Sequence, residues 1–192
     1  VEVLSYPLFK YPPYALSLAT KLVSLTKEYG LELIHAHYAV PHAASAFLAK
    51  KMLGSQGLKT ITTLHGTDIT LIGLDPSFYE VIKFNIEESD GVTAVSHYLQ
   101  QRTIDELAIK RNIRVIHNFV DTSRYNPSIT SCTKEHYAPN GEKILIHASN
   151  FRPLKKTSDV VQIFNLVRQE IPAKLLLVGE GPDRISTQRL VK

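Results

Sequence analysis

Four short stretches of this sequence concentrate side chains that can do chemistry. The first is His35-Ala36-His37-Tyr38-Ala39-Val40-Pro41-His42, with three histidines in eight residues. On a strand, His35 and His37 share one face, so a pair of metal ligands is one reading. Histidines bonded to the neighbouring backbone at a strand end are another. In a third, Tyr38 supplies a hydroxyl and Pro41 opens a helix whose free N–H groups favour an anion. The second stretch is Leu64-His65-Gly66-Thr67-Asp68, which brings a ring nitrogen, a hydroxyl and a carboxylate to one loop. Gly66 would let the backbone approach a ligand closely; as a plain turn, the same loop offers Thr67 or Asp68 as a helix cap.

The third stretch, Ser149-Asn150-Phe151-Arg152-Pro153-Leu154-Lys155-Lys156, holds three cations within five positions. With Thr157 or Ser158 capping a following helix, its side-chain cations and helix N–H donors would hold a pyrophosphate. A solvated charge run is the plainer alternative. The fourth, Val178-Gly179-Glu180-Gly181-Pro182, has two glycines that permit close backbone approach to a nucleotide, although glycine pairs are common in turns. A complete G-x-G-x-x-G fingerprint and a G-x-x-x-x-G-K-[ST] loop are both missing from the sequence, which argues against a dinucleotide or P-loop site.

These stretches need elements to position them, and the sequence alternates helix and strand. Leu18, Leu22 and Leu25 recur at helical spacing, predicting a helix over Tyr14–Tyr29 that stops at Gly30. Strands are expected at Leu31–His35, Lys59–Leu64, Gly91–Val95 and Ile113–Ile116, with helices from Pro41 to about Leu53, Pro76 to about Glu88 and His97 to Ile109. The segment from Asn118 to Gly141, rich in Pro, Asn, Ser and Thr, breaks the rhythm and reads as a connection. The pattern resumes with a strand at Lys143–Ala148, a helix at Thr157–Gln169, a strand at Lys174–Val178 and a further helix opening at Pro182 or Asp183. Alternation of this kind predicts an α/β chain with parallel strands and helices on both faces, whose ligands bind beyond the carboxyl ends of the strands.

Composition sets outer bounds. The 192 residues are 44% apolar and carry a formal charge of +4, which fits a globular protein with a core. No apolar run approaches the ~20 residues of a membrane span. The single cysteine, Cys132, cannot form an internal disulfide, which suits a reducing cytoplasm. Basic residues come in short runs without interleaved aromatics, favouring a small anion such as a nucleotide diphosphate over nucleic acid.

Taken in order, H-x-H-Y at His35–Tyr38, H-G-T-D at His65–Asp68, V-S-x-x-L at Val95–Leu99, N-x-V-D at Asn118–Asp121, P-L-K at Pro153–Lys155 and L-L-x-V-G-x-G-P at Leu175–Pro182 resemble the retaining glycosyltransferases of family four. The likeness runs through essentially the whole chain. It implies the GT-B fold, two Rossmann-like domains facing each other across a cleft. Residues 1–120 would be most of the acceptor-side domain, 121–142 the connection, and 143–192 the start of the nucleotide-sugar domain. Within the family, Phe9–Tyr14, His35–His42, Thr62–Thr70 and Asn150–Pro153 are most similar to members that join N-acetylglucosamine to L-malate in bacillithiol synthesis. The substrates implied are therefore UDP-N-acetylglucosamine and L-malate, with retention of configuration, no metal and no other cofactor.

By the same resemblance, Lys155 would bind the donor pyrophosphate and stabilise charge on the leaving phosphate. The family has an arginine five positions earlier, where this chain has Asn150; Arg152, two residues on, would supply that cation. His65 would approach the sugar, Gly179 and Gly181 would line the donor, and Tyr38 and Thr67 would hold the acceptor. Lys10 joins them on charge grounds. The family's glycine-rich loop would precede Val1 and its E-x-x-x-x-x-x-x-E motif would follow Lys192, so the 192 residues are expected to be a piece of a longer protein, inactive by itself. Homo-oligomerisation and the acceptor stay open. The rival readings are a transferase with an inositol phosphate or lipid acceptor, a non-catalytic nucleotide-binding module, and a metal-dependent hydrolase built on His35, His37 and His65.

Overall fold

A computed structural model describes residues 13–54, 57–70, 75–126, 128 and 134–191, apart from the Asp68 side chain. Lys10 and Cys132 lie outside the described residues. The chain divides into two compact units, Val1–Phe119 and Val120–Lys192.

The first unit is built on four parallel strands in the order β1-β2-β3-β4: Leu33–His37, Lys59–Leu64, Gly91–Ala94 and Ile113–Val115. Helix α1 (Tyr14–Tyr29) precedes β1. Helix α2 (Ala44–Leu53) connects β1 to β2, and α3 (Thr67–Thr70) and α4 (Pro76–Glu88) connect β2 to β3. Helix α5 (His97–Leu107) connects β3 to β4. Local chemistry explains the helix starts. Asp75 accepts from the Ser77 N–H at 2.9 Å with Pro76 in the first turn, and Ser96 accepts from the Leu99 N–H at 3.1 Å.

The in-register ladders pair Ala36 with Thr62, Thr62 with Val92, Leu64 with Ala94 and Val92 with Ile113. Residues paired this way share a face. On that face, Leu64, Val92, Ala94 and Ile113 form one core with Ile82 and Ile86 of α4 and Leu99 and Leu107 of α5. Ile34 and Ala36 form a second core with Ala46, Ala49 and Leu53 of α2, against which Leu22 and Val23 of α1 also pack.

The crossover helices thus lie on one face, where the sequence pattern predicted both. The reason is topological. The strand order never reverses, and right-handed crossovers that always step in one direction stay on one side. The opposite face carries Leu33, His35 and His37, all exposed.

Element boundaries also move, and the last helix opens at Arg184 rather than at Pro182 or Asp183. The first strand is Leu33–His37, not Leu31–His35, because Ile34 and Ala36 are the buried positions and the alternation runs on to His37. The helix expected from Pro41 begins at Ala44, after a wide turn over Ala39–Ala43 in which Val40 is extended. A short helix, α6 (Lys134–Tyr137), interrupts the connection.

In the second unit β5 (Lys143–Ala148) and β6 (Ala173–Val178) pair in parallel from Lys143–Ala173 to Ala148–Val178. Helix α7 (Thr157–Glu170) crosses between them, and α8 (Arg184–Val191) follows β6. Helix α7 starts at Thr157 after Lys156, and neither Thr157 nor Ser158 caps it as expected. Among the described residues, no helix is long and apolar enough to cross a membrane.

The amino ends of the first sheet are tied by Asp90, immediately before β3. Its carboxylate meets Lys50 Nζ at 2.5 Å, Lys59 Nζ at 3.4 Å and the Thr60 N–H at 2.8 Å. Beside it, the Arg111 guanidinium donates to the carbonyls of Glu87, Ser89 and Asp90 at the end of α4. Burial pushes the Asp90 carboxyl up, but the Lys50 hydrogen bond, the Thr60 N–H, the Lys50 charge and the Lys59 contact together outweigh it and hold the group well below the usual carboxylate range. A depressed carboxylate stabilises the fold above its unfolded pKa and loses that contribution as pH falls toward the folded value. We expect Asp90→Asn to lower unfolding free energy by about 2 kcal/mol at neutral pH. The difference from the parent should shrink below roughly pH 4, and urea titrations at pH 7 and pH 3.5 would check both.

Candidate functional site

At the carboxyl end of the first sheet, register brings the histidines of two loops together. His37 pairs with Thr63 across β1 and β2, and His65 follows Thr63 by two residues. The outcome is a hydrogen bond of 2.8 Å between His37 Nδ1 and His65 Nε2. The His35 ring lies 4.5 Å from that of His37, and the Tyr38 ring 5.0 Å from that of His65. His35 Nε2 shares a 2.7 Å hydrogen bond with Thr63 Oγ1, which shares another of 2.7 Å with Thr93 Oγ1 on β3. This ladder desolvates one edge of an otherwise exposed ring. Burial, then the charges of His37 and His65, push the His35 imidazole below its ordinary pKa.

Tyr38 sits where β1 ends and the chain turns. Its N–H donates to the Thr63 carbonyl at 2.9 Å, extending the ladder by one bond. Its φ of 76° is in the left-handed region, a conformation that costs a residue with a side chain about 1–3 kcal/mol and persists only where surroundings impose it. Here they do. The buried Asn85 of α4 donates from Nδ2 to the Ala39 carbonyl at 2.8 Å. His42 Nδ1 donates to the His37 carbonyl at 2.6 Å. Ser45 donates to the Pro41 carbonyl at 3.2 Å and to Ala15 of α1 at 2.9 Å. Asn85 carries no local motif, and only the packing of α4 on the turn reveals it.

Thr67 is exposed at the start of α3, whose first turn closes on the Gly66 carbonyl through the N–H groups of Ile69 and Thr70. The first unit therefore gathers Tyr38 and His65, with Thr67 two residues further along the same loop. The histidines do bond in part to backbone, through His42, but His35 and His37 bond to side chains. Among the described residues, no group of three His, Cys, Asp or Glu is arranged to hold a metal ion.

The second unit gathers the remaining candidates by itself. Asn150, Arg152 and Lys155 are exposed on the segment between β5 and α7. Pro153–Lys155 forms one turn of 3-10 helix, closed by the Lys155 N–H on the Arg152 carbonyl at 2.8 Å. Lys156 has φ 51°, and α7 begins directly after it. The Thr157 hydroxyl, buried at that helix start, has no hydrogen-bond partner among the described residues.

Beyond the strands, the β5–β6 ladder continues into the loops. Ser149 N–H donates to Val178 at 3.0 Å, Phe151 N–H to Glu180 at 2.8 Å, and Asp183 N–H to Phe151 at 2.9 Å. Phe151 is buried and anchors the segment that presents Arg152. A Cβ on Gly179 would stand 1.8 Å from the Ser149 carbonyl oxygen, and one on Gly181 2.5 Å from that of Phe151. Both positions therefore require glycine because another stretch of this chain passes there.

The sequence matches the Glycosyltransferase Family 4 profile over residues 1–124. It is 47% identical over 193 positions to an N-acetyl-alpha-D-glucosaminyl L-malate synthase of Bacillus anthracis, covering 100% of this chain and 50% of that protein. It is 32% identical over 92 positions to an uncharacterized glycosyltransferase of Methanocaldococcus jannaschii, covering 48% of this chain and 25% of that protein. The chain thus spans half the length of the first relative and less of the second.

The Gly179 contact can be tested directly. Gly179→Ala must shift the Ser149 carbonyl and place a side chain at φ 143°, and should destabilise the second unit by about 2 kcal/mol or more. Thermal unfolding of the variant would report it; a melting temperature equal to the parent's would contradict the close approach.

Proposed function

The chain belongs to glycosyltransferase family 4, and from that premise we propose that it serves a retaining transfer of N-acetylglucosamine from UDP-N-acetylglucosamine to the hydroxyl of L-malate. The observation that carries the choice of substrates is the 47% identity to the malate synthase, sustained across this whole chain. In this reading the second unit holds the donor and the first unit the acceptor.

The donor's bond from the anomeric carbon to the β-phosphate oxygen breaks, and its electron pair goes to the departing UDP. Negative charge on that phosphate grows toward the transition state, so cations already in place stabilise it more than they stabilise bound substrate. Lys155 and Arg152 are assigned that work. Arg152 precedes and Lys155 ends a single 3-10 turn ahead of α7, whose first-turn N–H groups add to the field. The Thr157 hydroxyl, buried and without a hydrogen-bond partner among the described residues, is consistent with an oxygen-rich ligand at this helix start. With cations and helix dipole supplied by the chain, no metal is needed, and chelator should leave turnover unchanged. Gly179 and Gly181 are assigned to the donor as well, as loop backbone packed against Ser149 and Phe151, together with Asn150 on the segment between β5 and α7.

Tyr38 and Thr67 are assigned to the acceptor, together with Lys10, and His65 to the sugar. The malate hydroxyl attacks from the face that UDP leaves and gives its proton to the departing β-phosphate oxygen, which preserves configuration without a covalent sugar-enzyme intermediate.

The test is steady-state UDP release by the protein expressed from its complete gene, given UDP-N-acetylglucosamine and L-malate. We expect malate-dependent release, and a fall in kcat of about a hundredfold or more in Lys155→Ala. Release with another acceptor but not with malate would overturn the acceptor assignment and keep the donor chemistry.

A further inference from the structure

His37 has no part in the chemistry proposed above, yet its ring is hydrogen-bonded to that of His65 at the carboxyl end of the first sheet. Its ring centroid lies 4.5 Å from that of His35, tilted by 31°, and 5.0 Å from that of His65, tilted by 38°. Its Nδ1 is 2.8 Å from His65 Nε2. Two imidazole nitrogens approach this closely only with one proton between them. With none, two lone pairs repel, and with two, two N–H groups collide. Whichever ring donates, the proton position on one fixes the tautomer of the other.

We propose that His37 is a positioning residue for His65, holding the orientation and ring-proton location of that imidazole at the transfer site. The inference rests on the reading of His65 given above. His37 is itself held. Its backbone lies in the β1–β2 ladder opposite Thr63, and its carbonyl accepts from His42 at 2.6 Å. One face of its ring is covered by His35, which the Thr63–Thr93 hydroxyl pair fixes from β2 and β3. Near the pair lie the rings of His35 from β1 and Tyr38 from the turn after it, and His42 bonds to the His37 carbonyl.

The experiment uses the protein from its complete gene. His37→Ala should lower kcat about tenfold or more while leaving KM for both substrates within about twofold, as expected when an interaction matters in the transition state rather than in binding. His37→Asn, whose amide keeps a donor or acceptor near the Nδ1 position, should recover most of that loss. Ring-nitrogen NMR should show the His65 ring-proton position of the parent changed in His37→Ala. A His37→Ala protein with parental kcat, or with unchanged His65 ring signals, would overturn the proposal. A protein that turns over no sugar would overturn the reading of the site, and the ring signals would still decide whether His37 sets His65.

Discussion

The arrangement around the histidines follows from the parallel register of β1 against β2. Pairing His37 with Thr63 puts the last residue of one strand beside the next-to-last of the other, so the loops that follow leave the sheet at nearly the same height. His65 then falls within hydrogen-bonding distance of His37, and Tyr38 extends the ladder by one bond before the chain turns. A slip of one residue would send His35 and His37 to the face now filled by Ile34 and Ala36. The apolar core under α2 therefore specifies the polar side as firmly as it specifies itself.

The second unit uses the same device with a different filling. Parallel pairing of β5 and β6 does not stop at the strand ends but carries on through Ser149, Phe151 and Asp183. Continuing it requires two backbones closer than a side chain permits, which is what Gly179 and Gly181 supply. Phe151 is drawn inward, and the following residues are turned outward as an exposed basic turn. The glycines thus belong to the support of Arg152 and Lys155 as much as to any surface a nucleotide would meet.

Opposite ends of the first sheet are built from different chemistry. At the amino ends, Asp90 gathers two lysines and a backbone N–H while Arg111 gathers three carbonyls, so charges and free backbone groups are consumed by one another. At the carboxyl ends, rings and hydroxyls meet one another while their edges stay accessible. The left-handed Tyr38, imposed by Asn85 and the turn around it, is tolerated at that end. This division accords with ligands meeting parallel sheets beyond the carboxyl ends of their strands.

Much of this was legible in the residues. Helix spacing in Tyr14–Tyr29, the β-branched run before Leu64, Pro76 after Asp75 and the loop of cations after Ala148 located most elements and the loops to watch, because periodicity and capping are local properties. The ordered motifs pointed to the family, which the profile match and the bacterial relative bear out. Position along the chain did not reveal that His37 and His65, 28 residues apart, share a proton, or that Asn85 holds the Tyr38 turn. Nor did it show that Thr157 is buried rather than capping, or that Gly179 meets Ser149. Those facts depend on which strands pair, in what register and in what order, and only tertiary packing decides that. The helices fell on one face for the same reason, since the direction of each crossover is a property of strand order rather than of any segment's composition.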